Sequence, residues 1–194
     1  MYQLKLLTPS LLSKLSTDIF EFRNTFGLPI NVDNMDDLND LLHTSLIVEE
    51  LHELSEADTE VDRIDAIVDA VYVLMGRFVE YGGSTNNYHG WTPELYFVDV
   101  LLQVAERHGF DFEACWNEVH RSNMSKVCAD LLTAAKTQAH YVNKGIRTTQ
   151  LLIGNYWVIK CENDASGQIK PGKVLKSVKY SPANLVDIMY GVKA

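Results

Sequence analysis

Apolar residues recur every three or four positions through the first two-thirds of the chain, the spacing that gives an α-helix one buried face. Thr8-Pro9 and Gly27 bracket a first helix over about residues 9–26, with Phe20, Phe22 and Phe26 as its apolar load. The loop Leu28-Pro29-Ile30-Asn31-Val32-Asp33 follows. A second helix is predicted from about Asp36 to Ala57, with Leu38, Leu41, Leu42 and Leu46 at helical spacing. A third runs from about Val61 to Tyr81 and ends at Gly82-Gly83. It is apolar over most of its girth, through Ile64, Ile67, Val68, Val71, Leu74, Met75 and Phe78, which suits a central helix. Residues 83–91 read as a polar loop. Thr92-Pro93-Glu94 opens a fourth helix that stops at Gly109. Asp111 caps a fifth reaching about Asn123, and a sixth over about 128–143 stops at Gly145.

The texture then changes. Thr148–Glu162 is rich in Thr, Ile, Val, Tyr and Trp around a central Gly154-Asn155, the pattern of a β-hairpin. Asp164-Ala165-Ser166-Gly167 is a turn, and Gly172–Lys176 adds a strand. The expected fold is all-α, a helical bundle with a small C-terminal β-hairpin appendage. Residues 1–127 are expected to form the helical catalytic domain. Residues 128–194 are expected as a helix plus hairpin packed on that same domain.

Composition narrows the function classes. At roughly 150 residues per domain, 194 residues make one domain, or one with an appendage. Lys and Arg number 17 against 26 Asp and Glu, a formal charge of −9, which opposes coating of nucleic acid and suits carboxylates that hold cations. No apolar run approaches the roughly 18 residues of a membrane span, and the N-terminus lacks the pattern of a secretory leader. Cys115, Cys128 and Cys161 are far apart and form no CxxC, so free thiols in a reducing cytoplasm are expected.

The densest chemistry is Glu49-Glu50-Leu51-His52-Glu53 on the second helix. At about 100° per residue, Glu49 and Glu53 fall within the arc of Leu38, Leu42 and Leu46, with Glu50 at its flank. Acids that continue an apolar stripe mean one of two things. Either the helix changes its facing near residue 48, or it points carboxylates at a cation. The third helix carries Asp62, Asp65, Asp69 and Tyr72 as one stripe, which on its own is also what a wet edge looks like. The short connection makes these helices antiparallel neighbours, so Asp65 and Asp69 can face Glu49, Glu50 and Glu53. Carboxylates gathered so closely persist with compensating cations. All-oxygen ligands prefer Mg²⁺ or Mn²⁺, and the chemistry implied is metal-assisted attack of water on a phosphate chain.

Glu49-Glu50-x-x-Glu53 followed by Asp65-x-x-x-Asp69 resembles the all-α NTP pyrophosphohydrolase superfamily, the MazG-like and HisE-like proteins. Phe22-Arg-Asn-Thr-Phe26-Gly27-Leu-Pro looks like the first helix and turn of phage-type members, and Asp65–Gly76 looks like their third helix. Glu118-Val-His120-Arg121-Ser122-Asn123-Met124-Ser125-Lys126 looks like their C-terminal signature, and Gly172–Lys176 with Tyr180-x-Pro182 like the tail that follows it. The match covers residues 16–82, 110–127 and 170–187. It departs from the usual Glu-x-x-Asp second half, since Ala66 stands three before Asp69 and Asp65 is the nearest acid.

The resemblance implies hydrolysis between the α- and β-phosphates of a nucleotide, giving a monophosphate and pyrophosphate. It also implies Mg²⁺, with Mn²⁺ as a substitute, and a dimer or tetramer whose helices share a four-helix core. Glu49, Glu50, Glu53, Asp65 and Asp69 are the expected metal ligands, with Glu49 or Glu50 alternatively the general base. Lys126 and Arg121 suit the phosphate charge, Asn123 and Asn24 a base or sugar edge, and Lys173 closure from the tail. The expected substrate is a nucleoside or deoxynucleoside triphosphate, a purine dNTP such as dGTP among the candidates, in the host cytoplasm if the protein is phage-encoded. The alternatives are a phosphoribosyl-ATP pyrophosphohydrolase and a non-catalytic metal-binding interaction protein. Membrane and nucleic-acid partners are not expected.

Overall fold

The computed structural model describes residues 4–32, 37–82 and 92–191, without the side chains of residues 37–39. The polar loop expected over 83–91 and the side chain of Leu38 lie outside these. The elements are α1 (Pro9–Thr25), α2 (Asp37–Glu56), α3 (Glu60–Glu80), α4 (Pro93–Arg107), α5 (Phe112–Met124), α6 (Leu131–Val142), β1 (Ile146–Ile153), β2 (Tyr156–Asp164) and α7 (Leu185–Tyr190). The described residues are therefore mostly helical, with one two-stranded antiparallel hairpin. The chain divides into two compact units. One is Met1–Arg23, Pro29–Val119 and Asn184–Ala194; the other is Asn24–Leu28 and His120–Ala183.

In the first unit α3 is the axis. Thr59 caps it: its hydroxyl accepts from the Asp62 amide while the Asp62 carboxylate accepts from the Thr59 amide. This reciprocal capping box fixes the helix start. Ile64, Ile67, Val68, Val71 and Met75 are fully enclosed, as a helix apolar on most sides requires. α2, α4 and α7 all pack on α3. Tyr72 is not part of a wet edge. It is buried, edge-on to Phe22 with ring centres 5.3 Å apart, and 5.1 Å from Trp116. The Trp116 indole N–H donates to Asp18 Oδ2 at 2.7 Å.

Asp99 on α4 is completely buried. Its Oδ1 accepts from the backbone amides of Lys5, Leu6 and Leu7 at 2.9, 2.8 and 2.9 Å, and its Oδ2 from Gln103 at 2.8 Å. A buried carboxylate persists where it is this thoroughly hydrogen-bonded, and here it ties the segment before α1 to α4.

α2 contrasts with α3. Among its described side chains only His43 is buried, and Leu41, Val48 and Leu51 stand 65%, 61% and 46% exposed.

In the second unit β1 and β2 pair from Ile146–Asp164 to Ile153–Tyr156, with an irregularity between Arg147 and Thr148. Gly154, at the first of the two turn positions, takes a φ of +54°, where a tight hairpin needs glycine. α6 packs on the hairpin. It starts at Leu131 rather than near residue 128 because Asp130 caps it, accepting from the Thr133 amide at 2.6 Å. The strand expected at Gly172–Lys176 is a single bridge, Val174 to Lys160, flanked by Cys161 N–H to Lys173 O and Leu175 N–H to Ile159 O. Cys128, Ala134, Ile146, Ile159, Cys161 and Leu175 form the core, with Trp157 packed against it. All three cysteines are free and buried, and burial pushes the Cys115 thiol up to about 11.

Candidate functional site

α2 and α3 carry the acids. At one end of the pair His43 Nε2 lies 2.7 Å from Glu80 Oε2, and Arg77 pairs with Asp40. The start of α2 thus meets the end of α3, and the helices run antiparallel as expected. Counting 1.5 Å per residue from that contact, Glu50 stands about 10 Å along α2 and Glu53 about 15 Å. On α3, Asp69 stands about 16 Å along and Asp65 about 22 Å. Glu53 and Asp69 therefore share a level, with Glu50 toward one side of it and Asp65 toward the other.

Burial sorts the same acids. Glu50 and Asp69 are half-buried, whereas Glu49, Glu53 and Asp65 are exposed. Along α2 and at Ala57 just beyond it the covered positions are Asp40, Leu42, His43, Ser45, Leu46, Ile47, Glu50, Leu54 and Ala57, and at about 100° per residue all but Ser45 lie in one arc with Glu50 at its centre. This reverses the facing expected from the leucine spacing, which centred the arc on Glu49 and Glu53. The leucines define one edge of the covered face, not its middle. Glu49, Glu50, Asp65 and Asp69 are each engaged with neighbours. Among the described residues, no three His, Cys, Asp or Glu side chains converge closely enough to hold a metal ion. The chemistry of the donor set, carboxylate oxygens on two facing helices, is that of a hard divalent cation.

The expected substrate-binding residues all belong to the other unit: Asn24, Arg121, Asn123, Lys126 and Lys173. Asn24 is exposed on the last turn of α1. Asn123 is buried near the end of α5, and Lys126 and Lys173 are half-buried and engaged. Arg121 holds the tail: its guanidinium donates to Ser181 Oγ at 3.0 Å and to Pro182 O at 2.9 Å. The contact is completed by the Ser181 amide on Ser125 Oγ at 2.9 Å and the Ser122 hydroxyl on Tyr180 Oη at 2.8 Å. A guanidinium fixed in this way still presents its charge, but from a set position.

One cluster escaped the sequence reading. Arg23, in the last turn of α1, is buried and donates to Glu80, which is 1% exposed and also meets His43. The Arg23 Nε also donates to Pro29 O at 2.7 Å. Burial holds the His43 imidazole below its ordinary value, so the ion pair of the cluster is Arg23 with Glu80. Gly76 lies beside the cluster, where a Cβ would make ordinary van der Waals contact, at 3.6 Å, with Arg23 Nη1 and His43 Cε1. The available signal was a glutamate ending an otherwise apolar helix and an arginine between Phe22 and Phe26.

Residues 21–86 match the model of the phosphoribosyl-ATP pyrophosphohydrolase family. The matched stretch contains Asn24 and all five candidate metal ligands. An uncharacterized protein of Acanthamoeba polyphaga mimivirus is 27% identical over 127 residues, covering 65% of this chain and 48% of that protein. The chain thus spans about half the length of that relative. No solved structure matches it. Over the helices that bear its acids, the chain is thus similar to a family of the all-α NTP pyrophosphohydrolase superfamily.

Proposed function

We propose that the protein is a metal-dependent nucleoside triphosphate pyrophosphohydrolase, cleaving a nucleotide between its α- and β-phosphates to give the monophosphate and pyrophosphate. The observation that carries this reading is the family match over residues 21–86, which encloses the acids of α2 and α3. Glu49, Glu50, Glu53, Asp65 and Asp69 would hold Mg²⁺, or Mn²⁺ in its place, and the ion would neutralise phosphate charge. Glu49 or Glu50 takes the proton of the attacking water. Lys126, Arg121 and Lys173 are our candidates for the cations that offset the negative charge growing on the leaving pyrophosphate. Asn24 and Asn123, able to donate and accept at once, meet the base and sugar.

A purine dNTP such as dGTP is our preferred substrate, and a virally encoded enzyme acting in the host cytoplasm fits the mimivirus relative. No helix among the described residues is long and apolar enough to cross a membrane. The test is pyrophosphate release from eight NTPs and dNTPs with Mg²⁺, wild type beside Glu53→Ala. Release from one or a few, abolished in the variant, is expected. The family match also favours phosphoribosyl-ATP as an alternative substrate, and its turnover with a blank nucleotide panel would decide for it.

We further propose a homo-oligomer, dimer or tetramer, built on α2. Its exposed Leu41, Val48 and Leu51 are apolar area that a second copy of the helix would remove from water. Light scattering on a sizing column should give two or four times the 21.9 kDa chain mass. A monomer at micromolar concentration overturns this.

A further inference from the structure

The β-hairpin has no part in the chemistry above, yet its position is specific. The turn that ends α1, Asn24–Leu28, belongs to the same compact unit as the hairpin, not to the unit that holds the rest of α1. Two contacts bind it. Lys160 Nζ, on β2, donates to Gly27 O at 3.0 Å. Ile153, at the end of β1, abuts Gly27 so closely that a Cβ there would stand 2.5 Å from its Cδ1. Gly27 also has a φ of +56°, so the turn takes its shape from a residue with no side chain, seated against the hairpin.

The same strand is joined at a second point to the segment after α5. Cys128 and Trp157 exchange both backbone hydrogen bonds, at 2.8 and 2.9 Å. Trp157 and Lys160 are three residues apart on β2, about 10 Å at strand rise. Ile159 and Cys161 anchor this stretch in the core, and Leu175 backs it from the other edge. One braced strand therefore spans from the neighbourhood of Asn24 to that of Asn123 and Lys126.

We propose that the hairpin is the element that sets nucleoside preference, by fixing the spacing between the Asn24–Leu28 turn and the Asn123–Cys128 segment. Lys160 and Ile153 are its positioning residues and touch no substrate. This rests on the reading that Asn24 and Asn123 meet the nucleotide.

The experiment is a binding titration, independent of turnover. The four α,β-imido deoxynucleoside triphosphates are titrated with Mg²⁺ into wild type, Lys160→Met and Lys160→Arg. Wild type should prefer one base. Lys160→Met should narrow that preference by about five- to tenfold, the worth of one exposed hydrogen bond, while Lys160→Arg should keep it. Ile153→Val, which removes the methyl facing Gly27, should act in the same direction, with an unchanged melting temperature. A preference ratio within twofold of wild type in both Lys160→Met and Ile153→Val overturns the proposal. So does a uniform loss for all four nucleotides, or a wild type that binds them alike or binds none. Selective binding without pyrophosphate release overturns the hydrolase reading and leaves this one standing.

Discussion

Replacing Glu50 by glutamine is expected to lower pyrophosphate release by about a hundred- to a thousandfold, the scale on which electrostatic stabilisation of transition-state charge operates. The substitution keeps size and hydrogen-bonding capacity and removes one negative charge. Glu50 is chosen because it sits at the centre of the covered arc of α2, where a carboxylate is held in place by its surroundings. Glu49 is exposed, at the edge of the covered arc, so Glu49→Gln should cost less. Two readouts separate this from misfolding: Glu50→Gln should also weaken Mn²⁺ binding measured without nucleotide, and the far-ultraviolet spectrum should be unchanged. Retention of a tenth or more of wild-type activity would remove Glu50 from the site.

Replacing Asp99 by alanine should destabilise the protein by about 3–5 kcal/mol, enough to leave much of it unfolded at 37 °C. Three backbone amides and one side-chain amide converge on that carboxylate, so its loss strands several buried donors at once. Asp99→Asn should be intermediate, since one oxygen remains to accept. Urea unfolding of the three proteins checks this, and a loss below about 1 kcal/mol would mean that water replaces the carboxylate freely.

The helices were legible because their ends are written locally. Thr8-Pro9, Thr92-Pro93 and Asp111 mark starts, and Gly27 and Gly109 mark stops, each close to the observed limit. Where a cap was overlooked the limit moved: Asp130 delays α6, and the Thr59 box starts α3 at Glu60. α7 was missed because six residues carry too little periodicity, although Asn184 caps it and Gly191 closes it. The facing of α2 was not legible because Leu42 and Leu46 lie at one edge of its covered arc, and spacing alone cannot tell the edge of a covered face from its middle. The Arg23–Glu80 pair and the Asp99 contacts join residues 57 and more than 90 positions apart, and no local pattern announces them. The acids of the site were legible for the opposite reason, since their pattern fits within 21 residues on two consecutive helices.

The interleaving of the two units has a consequence for how the chain matures. Asn24–Leu28 emerges from the ribosome roughly a hundred residues before the hairpin it belongs with, and α7 emerges more than a hundred residues after α3, on which it packs. Neither unit can be completed while the other is still unsynthesised. Folding of the first unit ahead of the second is therefore closed to this chain: the second has all its residues once residue 183 has emerged, and the first only when α7 follows. A gene cut at residue 127 would separate α7 from α3 and the α1 turn from its hairpin, producing two fragments that each lack a strap held by the other.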